Sequence, residues 1–194
     1  MNDRRIQTAQ KALEEVKMKA ARGKFLSSGR VDDPNDVSTV LQQILVFGNS
    51  PLIRWQIERA KVVPVRSLNE AVSTAADRRR ATRSTYPQDC YRNAIKVSKK
   101  LGAVYCEGWV SGSGLAFIRH AWNCLDGTYF DVTAEQFLKW TPDSTIYVMT
   151  LAVPAEEGQA LWKQRNGCEC YGGEMLSGVY WRNYVENSTE VTRS

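Results

Sequence analysis

Apolar positions along this chain follow two periods, and the change from one to the other falls near residue 102. From Arg4 to Arg22, residues Ile6, Ala9, Leu13, Val16 and Ala20 recur at helical spacing, which predicts an amphipathic helix ended by Gly23. Ser27 to Pro34 is a polar connection. Val37, Val40, Leu41, Ile44 and Leu45 then predict a short buried helix stopped at Gly48. Ser50-Pro51 is a helix-start pair with Ile53, Ile57 and Ala60 inward, and Pro64 breaks that run. Ser67 and Glu70 have capping-box spacing and predict one helix with Leu68, Ala71, Val72 and Ala75 inward. The far end of that helix carries Arg78, Arg79, Arg80 and Arg83. Pro87 and Asp89, as stop and cap, precede a helix from Cys90 to Leu101 with Ala94, Val97 and Leu101 on its inner face and Gly102 as terminator.

Beyond Gly102 the period is two. Val104, Cys106, Gly108 and Val110 alternate with Tyr105, Glu107 and Trp109, as in a half-buried strand. A second run from Leu115 to Leu125 ends at Asp126-Gly127, and Thr128 to Val132 follows. Asp-Gly between two such runs predicts a two-residue hairpin. A tight turn sets Leu125 opposite Thr128, Cys124 opposite Tyr129 and Trp122 opposite Asp131. His120, Trp122 and Cys124 then share a face with Tyr129, Asp131 and Thr133. Asp131 becomes a diagonal neighbour of His120, with Cα atoms about 7–8 Å apart, a gap that an imidazole and a carboxylate can bridge.

Downstream, the Thr133 and Gln136 spacing predicts a short helix through Trp140. Thr145 to Val153 is apolar on both faces and predicts a central strand. Pro154 opens a helix with Ala160, Leu161 and Trp162, and the aromatic run Tyr180, Trp181, Tyr184 predicts a final strand. The fold class expected is α+β. Residues 1–84 form a helical N-terminal region, residues 85–185 a core with a helix on an antiparallel sheet of about four to six strands, and residues 186–194 a polar tail.

Composition narrows the classes. Hydrophobic content of 43% and charged content of 24% are those of an ordinary globular protein. A net charge of +5 permits an acidic partner without demanding one. No apolar run reaches the length of a membrane span and no signal-peptide core follows Met1, so a cytoplasmic protein without a membrane partner is expected. Five cysteines, an odd number, fit reduced thiols better than a disulfide framework. Cys168-Glu169-Cys170 has the look of half a metal site, but a second ligand pair is missing, so neither metal nor cofactor is expected.

The candidate chemistry lies between Gln88 and Thr133. Cys90 opens a helix, where the positive end of the dipole favours a thiolate; His120, the one histidine, lies on a strand; Asp131 lies on the next. That ordered set is what thiol-based acyl transfer requires. Cysteine at a helix start, Glu107-Gly108-Trp109, His120-Ala121-Trp122, and Asp131 followed by Thr133 together resemble the transglutaminase-like core of the papain-like cysteine peptidase superfamily. They also resemble small bacterial and phage proteins that carry this core. The resemblance covers about a quarter of the chain. It departs from the better-known enzymes at Gln88-Asp89, where a tryptophan often precedes the cysteine, and at Asn123-Cys124, where an acidic residue is common.

The resemblance implies that Cys90 is the nucleophile, His120 the general base and Asp131 the residue that orients it. The expected activity is cysteine-dependent acyl transfer on an amide through a thioester, as in a protease, an amidase or deamidase, or a transglutaminase. The backbone N–H of Cys90 and Gln88 are candidate oxyanion donors, with Trp122 in support. Arg79 and Arg80 are assigned to the substrate entrance, and the partner is a protein, peptide or small amide. Two alternatives stand beside this: a non-catalytic binding protein on the same fold, and a basic nucleic-acid-binding protein using the first helix and the arginine cluster. No zinc-finger, helix-turn-helix or RNA-binding signature supports the latter.

Overall fold

The turn at Asp126-Gly127 sets the register of the sheet. Both residues take positive φ, +48° and +82°, the combination a two-residue hairpin with correctly twisted strands requires. In the computed structural model, which describes residues 3–26, 36–112, 117–141, 144–164 and 175–186, this turn joins β4 (Ile118–Leu125) to β5 (Thr128–Phe130). Leu125 pairs with Thr128 and Cys124 with Tyr129, as the alternation predicts. β4 also pairs antiparallel with β3 (Val104–Gly112), and β3 with β6 (Thr145–Val153).

Among the described residues six strands form one sheet in the order β1-β6-β3-β4-β5-β2, within an α+β fold. Its edges are β1 (Lys61–Val63) and β2 (Val65–Arg66), which flank Pro64. All pairs are antiparallel except β2 with β5. Both edge strands thus come from the region expected to be wholly helical. Strands of three and two residues carry no readable period, so the sequence shows only the Pro64 break.

Helices cover the sheet. α1 (Asp3–Ala21), α2 (Val37–Gln42), the 3₁₀ turn Gln43–Phe47 and α3 (Pro51–Arg59) bury Leu13, Leu41, Ile44 and Ile57 against Trp109, Ile146 and Val148. α6 (Cys90–Leu101), α7 (Ala155–Gln164) and α8 (Leu176–Trp181) meet Tyr105, Ala121, Leu151 and Val153. Among the described residues no helix is long and apolar enough to cross a membrane.

Three expectations change. The helix opened by Ser67 does have its capping box, but α4 (Leu68–Ala71) stops after one turn, and Thr74 caps a separate α5 (Ala75–Thr82). The Thr74 side chain accepts from Asp77 N at 3.0 Å, and this local bond competes with a continuous helix. The aromatic run is helical, not a strand: Tyr180 and Tyr184 touch at 4.8 Å between ring centroids, the i, i+4 contact of a helix face. Its β-forming composition pointed the wrong way. Third, the segment before Trp140 is a π-helix over Ala134–Leu138, and its first turn is capped by Asp131 and not by Thr133.

Glu107, fully buried on β3, fixes α8. Its carboxylate accepts from Tyr105 Oη at 2.7 Å and from the backbone N–H groups of Leu176 and Ser177, both at 2.9 Å. Next to it a bulge interrupts the β3–β6 pairing between Glu107 and Gly108, and Gly108 pairs with His120 on β4. A Cβ on Gly108 would overlap the Val148 carbonyl oxygen and lie 3.0 Å from Met149 Cα, neither of which can swing aside. Gly108→Ala is therefore expected to cost about 1–3 kcal/mol. For a chain of this length that is a fall of roughly 3–10 °C in thermal unfolding midpoint, read by circular dichroism.

Candidate active site

Cys90 is the first residue of α6 and is half-buried. The turn ahead of it depends on Gln88, whose φ of +61° reverses the chain into the helix. Asp89 makes no capping bond, contrary to expectation, and its carboxylate instead lies 3.8 Å from Arg92. The turn is held by Asn93, one helical turn after Cys90 and 1% exposed. Asn93 accepts from Tyr86 N at 3.0 Å and donates to Tyr86 O at 2.7 Å and to Thr133 Oγ1 at 3.1 Å. One side chain thus ties the approach to Cys90 to the segment just past Asp131.

His120 and Asp131 meet as the hairpin register predicts. Nε2 of His120 lies 2.6 Å from Asp131 Oδ2, and both side chains are almost wholly buried. β5 ends at Phe130, and among the described residues its pairing with β4 stops at Asn123, short of His120. Cys90 is near enough to the imidazole to act on it by charge and hydrogen bonding, and with Nε2 engaged by Asp131 the nitrogen left for sulfur is Nδ1. The three residues singled out for nucleophile, base and orienting acid are brought together in that order.

The surroundings fix protonation. Burial works to lower the His120 pKa, but the Asp131 charge, then the Cys90 charge and the hydrogen bonds to both, hold it well above the usual imidazole value. Asp131 Oδ1 accepts from Ala134 N at 2.9 Å, and Oδ2 also accepts from Tyr147 Oη at 2.9 Å. Trp122 stacks beside the imidazole at 6.5 Å between centroids, with Trp140 at 6.3 Å. The supporting place expected of Trp122 is thus the flank of His120.

Burial raises the other described thiols: Cys106 strongly, Cys124 less. The charge of Lys61 works against that rise at both. Cys168 and Cys170 fall outside the described residues. Among the described residues no group of three or more His, Cys, Asp and Glu side chains could hold a metal ion.

Two assigned groups lie elsewhere. Gln88 is exposed, so its side chain is not brought into the buried site and its contribution is the backbone turn. Arg79 and Arg80 are exposed on α5; Arg80 donates to Lys100 O at 2.7 Å, at the C-terminal end of α6. Cys90 opens the same helix ten residues away, about 15 Å along the axis. Arg80 therefore satisfies a helix end and does not frame an entrance at Cys90; Arg79, its neighbour on α5, has no described bond to the site. Asn93 and Tyr147 were the residues sequence reasoning passed over. Asn93 had a signal, a polar side chain on the inner face of an amphipathic helix. Tyr147 had none, because its role depends on β6 lying beside β3.

The His120 shift has a stability consequence. A histidine whose folded value exceeds the unfolded value of 6.5 contributes stability that is complete below about 6.5 and lost as pH rises through the folded value. Thermal midpoints of the wild-type chain are expected to fall across pH 6.5–9 relative to those of His120→Gln, and parallel curves would contradict the assignment. Comparison with protein-family models, with curated proteins and with solved structures finds no match to this chain.

Proposed function

We propose that this chain is a cysteine-dependent acyl-transfer enzyme acting on an amide bond, with a transglutaminase-like arrangement of helix and sheet. The observation that carries the reading is the buried His120–Asp131 pair at 2.6 Å, with Cys90, at a helix start, acting on the same imidazole. A histidine joined only to a carboxylate is a structural ion pair; one joined also to a half-buried thiol is a base with its nucleophile. Asp131 holds Nε2 and leaves Nδ1 for sulfur.

In the reaction this supports, the Cys90 thiolate attacks the substrate carbonyl carbon, and the backbone N–H of Cys90 is a donor for the developing oxyanion. His120, charged, gives its proton to the departing amine as the C–N bond breaks and a thioester remains. Neutral His120 then takes a proton from water or from an incoming amine, whose attack on the thioester carbonyl regenerates the thiol. Water gives hydrolysis or deamidation and an amine gives transfer, so the substrate is a protein, peptide or small amide. The nucleic-acid alternative loses support because two cations of the arginine cluster are committed: Arg78 donates to the carbonyl oxygens of Val72 and Ser73, and Arg80 to that of Lys100.

A carbon electrophile such as iodoacetamide is expected to label Cys90 ahead of Cys106 and Cys124, with the preference lost in His120→Ala. Slow labelling of the three at similar rates would sink the reading. In a cell extract compared by mass spectrometry, wild type and Cys90→Ser should differ by mass changes in amide-bearing components. Replacement of Cys90 or His120 is expected to reduce that turnover by at least about 10⁴-fold.

A further inference from the structure

Asp131 Oδ2 serves two donors. His120 Nε2 approaches it at 2.6 Å and Tyr147 Oη at 2.9 Å. The carboxylate cannot rotate to separate them, because Oδ1 is engaged by Ala134 N at 2.9 Å. We propose that Tyr147 is a positioning residue of the site: its hydroxyl divides Asp131 Oδ2 with His120 and so sets how much of the carboxylate charge the imidazole receives.

The geometry makes this an adjustable interaction and not mere packing. Tyr147 lies on β6, an interior strand paired on both sides, and is 2% exposed, so its ring has little freedom. Trp122 stands edge-on to it at 5.1 Å between centroids and stacks on His120 at 6.5 Å, a wall common to both rings. Burial, the Asp131 charge, the bond to Asp131 and the Glu135 charge, in that sequence with burial foremost, keep the phenol protonated well past its ordinary range. It therefore remains a donor wherever His120 titrates. The other charged or titratable groups facing this cluster are Cys90, which acts on the imidazole, and Arg66 and Glu135 in the cleft that reaches Asp131 and Tyr147. All three stay in place when only the hydroxyl is altered.

A hydrogen bond withdrawn from the shared oxygen leaves more of its charge to the imidazolium. Tyr147→Phe is thus expected to raise the His120 pKa by roughly 0.5–1 unit. Site-specific 3-fluorotyrosine at position 147, a more acidic and stronger donor, should lower it. His120 is the only histidine, so its imidazole ¹⁵N resonances can be followed across pH 6–11 without ambiguity.

Opposite shifts in the two proteins support the proposal; an unmoved His120, or shifts of the same sign, overturns it. Should Tyr147→Phe not fold, the fluorotyrosine protein decides alone, and an unchanged titration there is enough to reject it. The kinetic consequence rests on the acyl-transfer reading: the alkaline limb of Cys90 labelling should move by the same amount as the resonance. A resonance that moves while Cys90 stays unreactive at every pH would remove the enzyme reading and leave the hold of Tyr147 on His120 standing.

Discussion

A carboxylate buried away from water is stable only where its lone pairs are filled, and Asp131 has all but its last lone pair filled. Ala134 N takes one oxygen; His120 and Tyr147 take the other. Those three partners belong to the helical segment after β5, to β4 and to β6. The side chain that orients the imidazole therefore also pins three pieces of backbone that are distant in sequence. Removing one partner of a buried pair of this kind typically costs about 3–5 kcal/mol. Site geometry and local stability here are the same set of bonds.

Cys90 and this cluster meet at the end of a short strand. β5 is three residues long and, among the described residues, leaves β4 without an outer strand beside His120. α6, which packs on β4, is held near its start by the Asn93 bonds to Tyr86 and Thr133. At the other end Arg80 donates to Lys100 O, Lys100 donates to Arg83 O and Lys96 donates to Ser84 O. Those cations fasten α5 and its following turn to α6. Ala94 and Ile95 bury the inner face against Tyr105 and Ala121. Clamped at both ends, the helix presents Cys90 with little slack, which suits a group that must meet an imidazole within hydrogen-bonding range.

What the sequence disclosed follows from the reach of each signal. Asp126-Gly127 and the alternation about it are local, and they carried the register through to the His120–Asp131 contact. The boundaries of α6 were equally readable, from Cys90 to Gly102. Long-range pairings were not. Nothing local says that β6 lies beside β3, so Tyr147 looked like one apolar position among nine in a buried strand. β1 and β2 were too short to have a period, and Ser73-Thr74 ended a helix that the apolar spacing would have continued. Tyr180 and Tyr184 illustrate the opposite error: strand-forming residue types at helical spacing, where the spacing was the better guide.

A second buried acid sharpens what makes the first one a site. Glu107 and His120 project to opposite faces, since Glu107 adjoins Gly108 and Gly108 is the residue paired with His120. Both acids are buried and both are well bonded. Burial pushes the Glu107 carboxyl above its ordinary value, against the pull of its bonds to Ser177, Tyr105 and Leu176. Its described partners are backbone N–H groups and hydroxyls, which do not exchange protons near neutral pH, so Glu107 can only anchor α8. Asp131 faces a group that does titrate, and that group faces a thiol. A displaced pKa alone would have marked Glu107 as functional. The distinction lies one bond further out, in whether the partner can pass a proton on to an atom that forms bonds with carbon. Of these two acids only Asp131 stands two contacts from such an atom, the sulfur of Cys90.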